Sequence, residues 1–359
     1  DDPATKSILI YMESIGDPRA FLSAAREVAR TKPVIVIKVG HTQEAARAAA
    51  SHTGALTGSD DVLEAAFRRA GVLRVKTLGE LFDMAEVLSK QPRPPGPRLA
   101  IVTNAGGPGA LATDLLVTSG GTLAPLTAGT IEALNAVLPP HWSRGNPVDV
   151  IGDAGPERFA AAVSAVLADE TVDGTLVVLT PQSMTDAEGC AQAVVAAVRH
   201  AGKPVLASWM GGPDVEAGCR ILNDAGIPTF DHPDSAARAF ALMWRHGQNL
   251  RALYETPVLG DCSEASLKLR GKAMKSVREA ATRGDAFLSK ADCNRLLDAY
   301  EIPRLPVRMA ATAEEAAEVA REMGFPVVLK LCSETVTHKT EVGGVRLNLT
   351  DTTAVKRAF

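Results

Sequence analysis

A chain of 359 residues is too long for one ordinary hydrophobic core, so two or three domains are expected. Hydrophobic residues make up 46% and charged residues 22%, the balance of a soluble globular protein, and a net charge of −4 argues against a nucleic-acid partner. No apolar run approaches the roughly 20 residues that span a bilayer and no signal-peptide pattern opens the chain, so neither membrane nor export is expected; five cysteines (Cys190, Cys219, Cys262, Cys293, Cys332) without CxxC pairing fit reduced thiols in a cytoplasmic protein better than disulfides or a zinc site.

Ser7 to Met12 (SILIYM) reads as a short strand that ends at Glu13. Asp17 and Pro18 open a helical pattern through Arg30, with Asp17 as N-cap and Pro18 at the first helical position. Pro33 to Val39 (PVIVIKV) is a second buried-strand signal, ending at Gly40. A stretch of small polar residues follows, including Ser51-His52-Thr53-Gly54. Ser59 to Ala70 is helical, Val72 to Val75 a short strand, and Leu78 to Leu88 helical again. Short apolar strands alternating with amphipathic helices predict an α/β fold with a parallel, doubly wound sheet.

The proline-rich run QPRPPGPR at 91–98 is the clearest domain boundary. A second α/β unit starts at once with a strand at Leu99 to Val102, the turn Asn104-Ala105-Gly106-Gly107-Pro108-Gly109, and a helix beginning near Ala110. Further strands are expected at Gly174 to Leu179, Pro204 to Trp209 and around Pro228 to Phe230, with helices at Glu157 to Leu167 and Ala191 to His200. Residues 255–270 are polar and weakly periodic and read as a linker. The last unit offers a helix from Lys290 to Tyr300, a strand near Val307, a helix from Ala313 to Met323, a strand at Val327 to Leu331 and a helical segment reaching Phe359. The expected domains are 1–92, 98–254 and 268–359, the first two sharing a flavodoxin-like strand–helix rhythm.

Several positions can carry chemistry. A lone histidine is more often packed or solvated than catalytic, but His52 sits among Ser51, Thr53, Gly54, Gly58 and Ser59, small residues that let the chain approach a bulky anion. A helix expected from Ser59 would aim free backbone N–H groups at the same place. Imidazole near neutral pH keeps a free nitrogen lone pair and is a competent nucleophile toward phosphorus. Asn104 to Gly109 follows a strand and precedes a helix, where an anion meets the positive helix end, although a sharp turn alone also selects glycine. The spacing of Gly106, Gly107 and Gly109 does not match the dinucleotide-binding pattern. Lys330 ends an apolar strand and is followed by His338 and the pair Gly343-Gly344, a lysine position that simple snorkelling also explains. Glu13, at the carboxyl end of the first strand, is placed where open α/β sheets line their ligand crevice and where a carboxylate could orient an imidazole. The cluster Asn146-Pro147-Val148-Asp149 has no role that spacing assigns.

Together these pieces resemble one family. SHTGALTGSD followed by AAFRRAGVLRV is similar to the phosphohistidine segment of the NDP-forming (ADP-forming) acyl-CoA synthetases, relatives of succinyl-CoA synthetase. IVTNAGGPGALATDLL, GNPVDVIGDA and PVVLKLCSETVTHKTEVGGVRLNL resemble further landmarks of that family in the same order. The resemblance implies two flavodoxin-like units followed by part of an ATP-grasp domain. It implies an acid-CoA ligase that interconverts acyl-CoA, ADP and phosphate with a carboxylic acid, CoA and ATP, His52 carrying the phosphoryl group. By the same resemblance Glu13 would steady His52. Phosphate would lie against Ser51, Thr53 and Gly54 and at the helix end formed by Asn104, Gly106, Gly107 and Gly109. Lys330 would contact nucleotide phosphates, His338 would relay the phosphoryl group toward ADP, and Mg²⁺ would accompany the nucleotide. A CoA-binding domain would precede Asp1 and acidic Mg²⁺ ligands would follow Phe359, so a protein limited to these residues is expected to be inactive. A second implied reading is a ligand-sensing regulatory module of a protein acetyltransferase, which would be free to lose His52 and His338. Which acid is used, ADP against GDP, and the oligomeric state, a homo-oligomer included, are left open by the sequence.

Overall fold

Five apolar residues, Ile8–Met12, form β1, and Asp17 then caps α1 (Pro18–Ala29) by accepting the N–H groups of Arg19 and Ala20. β2 (Val34–Lys38) is buried along its whole length. α2 (Asp60–Arg69), β3 (Leu73–Val75) and α3 (Leu78–Lys90) complete the first sheet, which is parallel in the order β1-β2-β3. Alternation with period two sends Val34 and Val36 toward Ala25, Ala29, Phe67 and Ala70, and Ile35 and Ile37 toward Leu81, Met84 and Val87. Burial on both faces is why β2 reads as an unbroken apolar run. The computed structural model describes residues 2–40, 45, 60–199, 201–255, 264–284, 287–333 and 339–359.

The second sheet comprises β4 (Arg98–Thr103), β5 (Thr122–Leu123), β6 (Val148–Asp149), β7 (Gly174–Leu179), β8 (Val205–Trp209) and β9 (Thr229–Phe230). All pairings are parallel in the order β5-β4-β7-β8-β9, with β6 also lying on β4. Between them run α4 (Gly106–Thr118), α5 (Ala128–Val137), α6 (Pro156–Ala168), α7 (Ala187–Val198) and α8 (Glu216–Asp224), and α9 (Pro233–Ala252) follows. The chain leaves β4 toward β5 on one side and later returns to place β7 on the other, so the winding direction reverses between β4 and β7. In open parallel sheets that reversal opens a crevice at the carboxyl ends of the two strands. β5 pairs with β4 only at Arg98 and Leu99, and β6 only at Val102 and Thr103. Asn146 fills the gap between them: its Oδ1 accepts from Ile101 N at 3.0 Å and its Nδ2 donates to Leu99 O at 2.8 Å.

One apolar cluster continues across the proline-rich run. Ile35, Ile37, Leu81 and Met84 from the first sheet region share one buried cluster with Leu99, Leu116, Leu176, Leu206, Phe240 and Met243 from the second. Asn249, near the end of α9, donates to Val72 O at 3.0 Å inside this region. Gln91, at the start of the run, is itself bonded to Val205 N and Gly226 O. Residues 1–256 accordingly make one compact unit and 257–359 a second.

The second unit contains α10 (Glu264–Arg283), α11 (Lys290–Ala299), α12 (Ala313–Met323), β10 (Val327–Lys330), β11 (Val345–Leu349) and α13 (Thr352–Ala358). β10 and β11 are antiparallel, and Val327, Leu329 and Leu349 pack on Ala316, Ala317, Ala320 and Val355. Three sequence expectations change here. The stretch read as a linker at 255–270 contains the start of α10, residues around Val307 form no regular element, and α4 begins at Gly106 rather than near Ala110. α10 escaped notice because its buried positions, Ser266, Ala273 and Ala280, recur every seven residues, a seam narrower than the usual apolar stripe.

Candidate functional site

β4 ends on a buried Thr103-Asn104 pair. The Asn104 side chain spans the sheet's reversal point: Nδ2 donates to Thr180 O and Oδ1 accepts from Thr180 N, both at 2.8 Å. It therefore ties the carboxyl ends of β4 and β7 together, and any contact with a ligand falls to its backbone and neighbours. The Thr180 hydroxyl is buried with no hydrogen-bond partner among the described residues. Thr103 Oγ1 donates to Ala105 O and accepts from Ala105 N, which sets the bend into α4. No side chain caps α4, whose N-cap Ala105 is extended, so the N–H groups of Gly106 and Gly107 remain for an anion, Pro108 having none and Gly109 N donating to Ala105 O at 3.4 Å.

The three glycines of that turn differ in their surroundings. A Cβ at Gly109 would lie 3.0 Å from Thr103 Cγ2 and 3.3 Å from Pro147 Cβ, whereas one at Gly107 would meet nothing within 4 Å. A Cβ at Gly106 would stand 3.6 Å from Asp149 Oδ2. Asp149 Oδ1 accepts from Ile151 N at 2.9 Å, and Ile151 holds φ at 69°, uncommon for a β-branched residue and a form of local strain that clusters at ligand sites. Gln182, just beyond β7, lies against Gly152. After β8 a second Gly-Gly-Pro turn, Gly211 to Pro213, approaches Pro181 so closely that a Cβ at Gly211 would be 2.7 Å from its Cγ. The crevice is thus walled by the ends of β4, β6, β7 and β8.

At the carboxyl end of the first sheet, Glu13 follows β1 and is exposed. The next strand ends in Lys38, only 6% exposed, whose ammonium donates to Val39 O in a close contact. Val39 N in turn donates to Met12 O at 3.1 Å, so the ends of β1 and β2 stay in register up to Met12, the residue before Glu13. Arg74 of β3 points to the same region and binds Asp60 at 2.6 Å and Glu64 at 3.4 Å. Burial first, and then the charge of Arg74, push the Lys38 ammonium below the ordinary lysine range, against the pull of Asp60 and Glu13. His52, Ser51, Thr53 and Gly54 lie outside the described residues.

In the second unit Lys330 ends β10, exposed and in register with Val345. Leu331 N donates to Gly344 O at 2.7 Å, and a Cβ at Gly344 would stand 2.9 Å from Leu331 Cβ, so this glycine is where the turn after Lys339 closes on the strand. His338 lies outside the described residues. Among the described residues no group of three or more His, Cys, Asp or Glu side chains could hold a metal ion, and no helix is long and apolar enough to cross a membrane.

The structure therefore gathers Asn104, Gly106, Gly107 and Gly109 at one crevice, places Glu13 at the matching end of the first sheet, and puts Lys330 in the other unit. Sequence reasoning missed Asp149, Thr180 and Lys38. The NPVD run had drawn notice without a role, and a lysine closing an apolar strand was weighed at Lys330 but not at Lys38.

Residues 1–88 match the family described as succinyl-CoA ligase like flavodoxin domain, 99–250 the Ligase-CoA domain, and 279–359 the ATP-grasp domain. The chain is 39% identical over 358 residues to acetate–CoA ligase [ADP-forming] I of Archaeoglobus fulgidus, covering all of this chain and 50% of that protein. It is 34% identical over 357 residues to 4-hydroxybutyrate–CoA ligase [ADP-forming] of Nitrosopumilus maritimus, covering 99% of this chain and 50% of that one. A solved structure, dinucleotide forming acetyl-coenzyme A synthetase 1 of Ca. Korarchaeum cryptofilum in complex with phosphate and ADP, superposes with a TM-score of 0.65 at 35% identity over 70% of this chain and 55% of that one. The chain spans about half the length of the curated relatives it matches.

Proposed function

The chain belongs to the ADP-forming acyl-CoA synthetases, the family related to succinyl-CoA synthetase, and from that premise we propose that it is the phosphohistidine-bearing part of an acid-CoA ligase. The observation that carries the reading is the uncapped, glycine-opened first turn of α4 at the reversal point of a parallel sheet, with open space beside Gly107. Such a turn offers backbone N–H groups and a helix dipole to a phosphate without a side chain in the way.

Three transfers follow in this reading. A phosphate oxygen attacks the thioester carbonyl of acyl-CoA, the C–S bond breaks, and CoA leaves as the thiol, giving an acyl phosphate. His52 then attacks phosphorus; a P–N bond forms, the P–O bond to the acyl group breaks, and the carboxylate departs. Finally a terminal ADP oxygen takes the phosphoryl group, giving ATP and a free imidazole, with His338 as the relay beside the ATP-grasp domain. The first turn of α4 (Asn104 backbone, Gly106, Gly107, Gly109), together with Ser51, Thr53 and Gly54, would hold phosphate, Glu13 would orient the imidazole of His52, and Lys330 would face nucleotide phosphates. Mg²⁺ would offset charge on the bound nucleotide. The described residues offer no carboxylate cluster for it, so no step is assigned to the metal. The substrates are a carboxylic acid of small-molecule size, aliphatic or aryl, with CoA, phosphate and ADP, in a cytoplasmic setting that the four described free thiols favour.

The full-length protein incubated with γ-labelled ATP and Mg²⁺ is expected to give an acid-labile, base-stable phosphoprotein. His52→Ala is expected to abolish both the label and net turnover. A His52→Ala protein with full ligase activity would remove the assignment.

A further inference from the structure

β6 delivers a carboxylate to the mouth of the crevice. It pairs with the end of β4 so that Asp149 stands opposite Thr103, the residue that sets the bend into α4. Val150 N fixes that register by donating to Thr103 O at 2.8 Å. The two oxygens of Asp149 then have different surroundings. Oδ1 accepts from Ile151 N at 2.9 Å, whereas Oδ2 faces the first turn of α4, 3.6 Å from where a Cβ of Gly106 would be. Among the described residues nothing donates to Oδ2, and the arginines of this stretch are engaged elsewhere, Arg144 with Pro140 O and Arg158 with Asp153 and Val150 O.

A carboxylate in that place is at odds with a general anion site. The N–H groups of Gly106 and Gly107 and the dipole of α4 attract negative charge, and a fixed carboxylate beside them repels it. The conflict disappears for an oxyanion that still carries a proton: its O–H donates to the carboxylate while its other oxygens accept from the helix. Inorganic phosphate keeps a P–O–H at neutral pH; sulfate, the same tetrahedral shape, keeps none. A second group points the same way. Thr180 Oγ1 is buried without a partner among the described residues. Val178 shares a cluster with Ala112 and Leu116 of α4, and strand alternation puts Thr180 on that same face. Its hydroxyl can donate or accept, and so suits either kind of oxygen on a partly protonated anion.

We propose that Asp149 makes the α4 anion site selective for phosphate over sulfate, Oδ2 accepting the phosphate O–H while the N–H groups of Gly106 and Gly107 donate to the unprotonated oxygens. The inference rests on the reading above that phosphate binds at α4, and adds the residue that decides which tetrahedral anion is admitted. Discrimination then comes from repulsion of the wrong anion as much as from attraction of the right one.

Equilibrium binding of radiolabelled inorganic phosphate to the full-length protein tests this, with sodium sulfate as competitor at constant ionic strength and the melting temperature recorded alongside. Wild-type protein is expected to release its phosphate only at a large excess of sulfate. Asp149→Asn keeps an oxygen for Ile151 N, so its melting temperature should stay at the wild-type value, but sulfate should displace phosphate from it at about 10- to 100-fold lower excess. Asp149→Ser, whose hydroxyl can also take the Ile151 N–H, is expected to lose the preference in the same way and replaces the asparagine variant should that one melt lower. An unchanged preference in the variant that melts like the wild type, or wild-type protein that gives up its phosphate to equimolar sulfate, would overturn the proposal. Gly107→Ala separates the two claims. Undiminished phosphate binding by Gly107→Ala, or no phosphate binding by the wild type, would remove the α4 site on which the ligase reading leans. Weakened binding by Gly107→Ala with unchanged selectivity in Asp149→Asn would remove Asp149 alone.

Discussion

Gly107 and Gly109 stand two residues apart in the first turn of α4, and their surroundings separate what each glycine is for. A methyl group at Gly109 would press on Thr103 Cγ2 at 3.0 Å and Pro147 Cβ at 3.3 Å, so Gly109→Ala is expected to destabilise the first unit by about 1–3 kcal/mol through overpacking. Gly107 has no neighbour within 4 Å, so Gly107→Ala is expected to leave stability unchanged or raise it by up to about 0.5 kcal/mol, since alanine is the better helix former. Urea unfolding checks both. In the ligase reading the open space beside Gly107 belongs to phosphate, so the same Gly107→Ala protein should take the phosphoryl label more slowly although its fold is intact. Wild-type labelling by that variant would take Gly107 out of the anion site. Asn104 shows the opposite commitment: both ends of its amide are held by Thr180, so its side chain serves the geometry of the crevice.

At the scale of elements, β4 is held at its amino end by a buried acid as well as by the apolar packing of Leu99. Asp173, 2% exposed, accepts from Arg98 N at 3.0 Å, Nε at 2.8 Å and Nη2 at 2.9 Å. Burial works against its charge, but the hydrogen bonds and charge of Arg98 outweigh it and hold the carboxyl below the usual aspartate range. The unfolded chain therefore binds a proton before the folded one does. The stabilisation is complete above the unfolded value of about 3.9 and fades as pH falls below it toward the lower folded value. Asp173→Asn is expected to lower unfolding free energy at pH 7 by about 1.5–3 kcal/mol, the range for hydrogen bonds to a charged group, with the gap to wild type narrowing at pH 3. A gap of equal size at both pH values would assign the loss to shape instead of charge. This contact also marks where sequence reading runs out. β1, α1, β2 and β7 were legible because each is declared locally, by an apolar run or by the Asp17-Pro18 helix start. The glycine turn after β4 was legible as a strand-to-helix turn for the same reason, and its use by an anion belongs to the ligase proposal. Asn146, Asp149, Asp173 and Thr180 act on β4 and the start of α4 from 40 or more positions away, and nothing in their own neighbourhoods announces it. Lys38 was hidden for a different reason, since its burial is decided by what packs around the end of β2 rather than by the strand itself.

On the scale of the first unit, α9 is the element that makes two parallel sheets one body. Its residues Ala236, Ala237, Phe240 and Met243 enter the cluster shared by both sheets, and Leu250 enters the cluster around α1 and α2. Gly71, at φ 73°, lets the chain pass so near that a Cβ there would meet Leu253 Cδ1 at 2.8 Å. Within this helix His246 is 1% exposed, with neither ring nitrogen bonded to any described residue. Burial, and secondarily the charge of Arg93, hold its imidazole neutral down to about pH 4. The unfolded histidine takes a proton near its ordinary value of about 6.5, so stability is complete above that pH and is lost progressively between about 6.5 and 4. The loss is on the order of 3 kcal/mol for a shift of that size. His246→Leu keeps comparable volume and removes two unbonded polar atoms, so at pH 7.5 its unfolding midpoint in urea should match or exceed that of the wild type. At pH 4.5 the leucine variant should have gained a further margin on the order of 2 kcal/mol, because only the wild type must resist protonating this ring. If the two proteins kept the same separation at both pH values, the imidazole would have to be solvated or bonded in solution, and the joint between the sheets would be more open around α9 than its packing indicates.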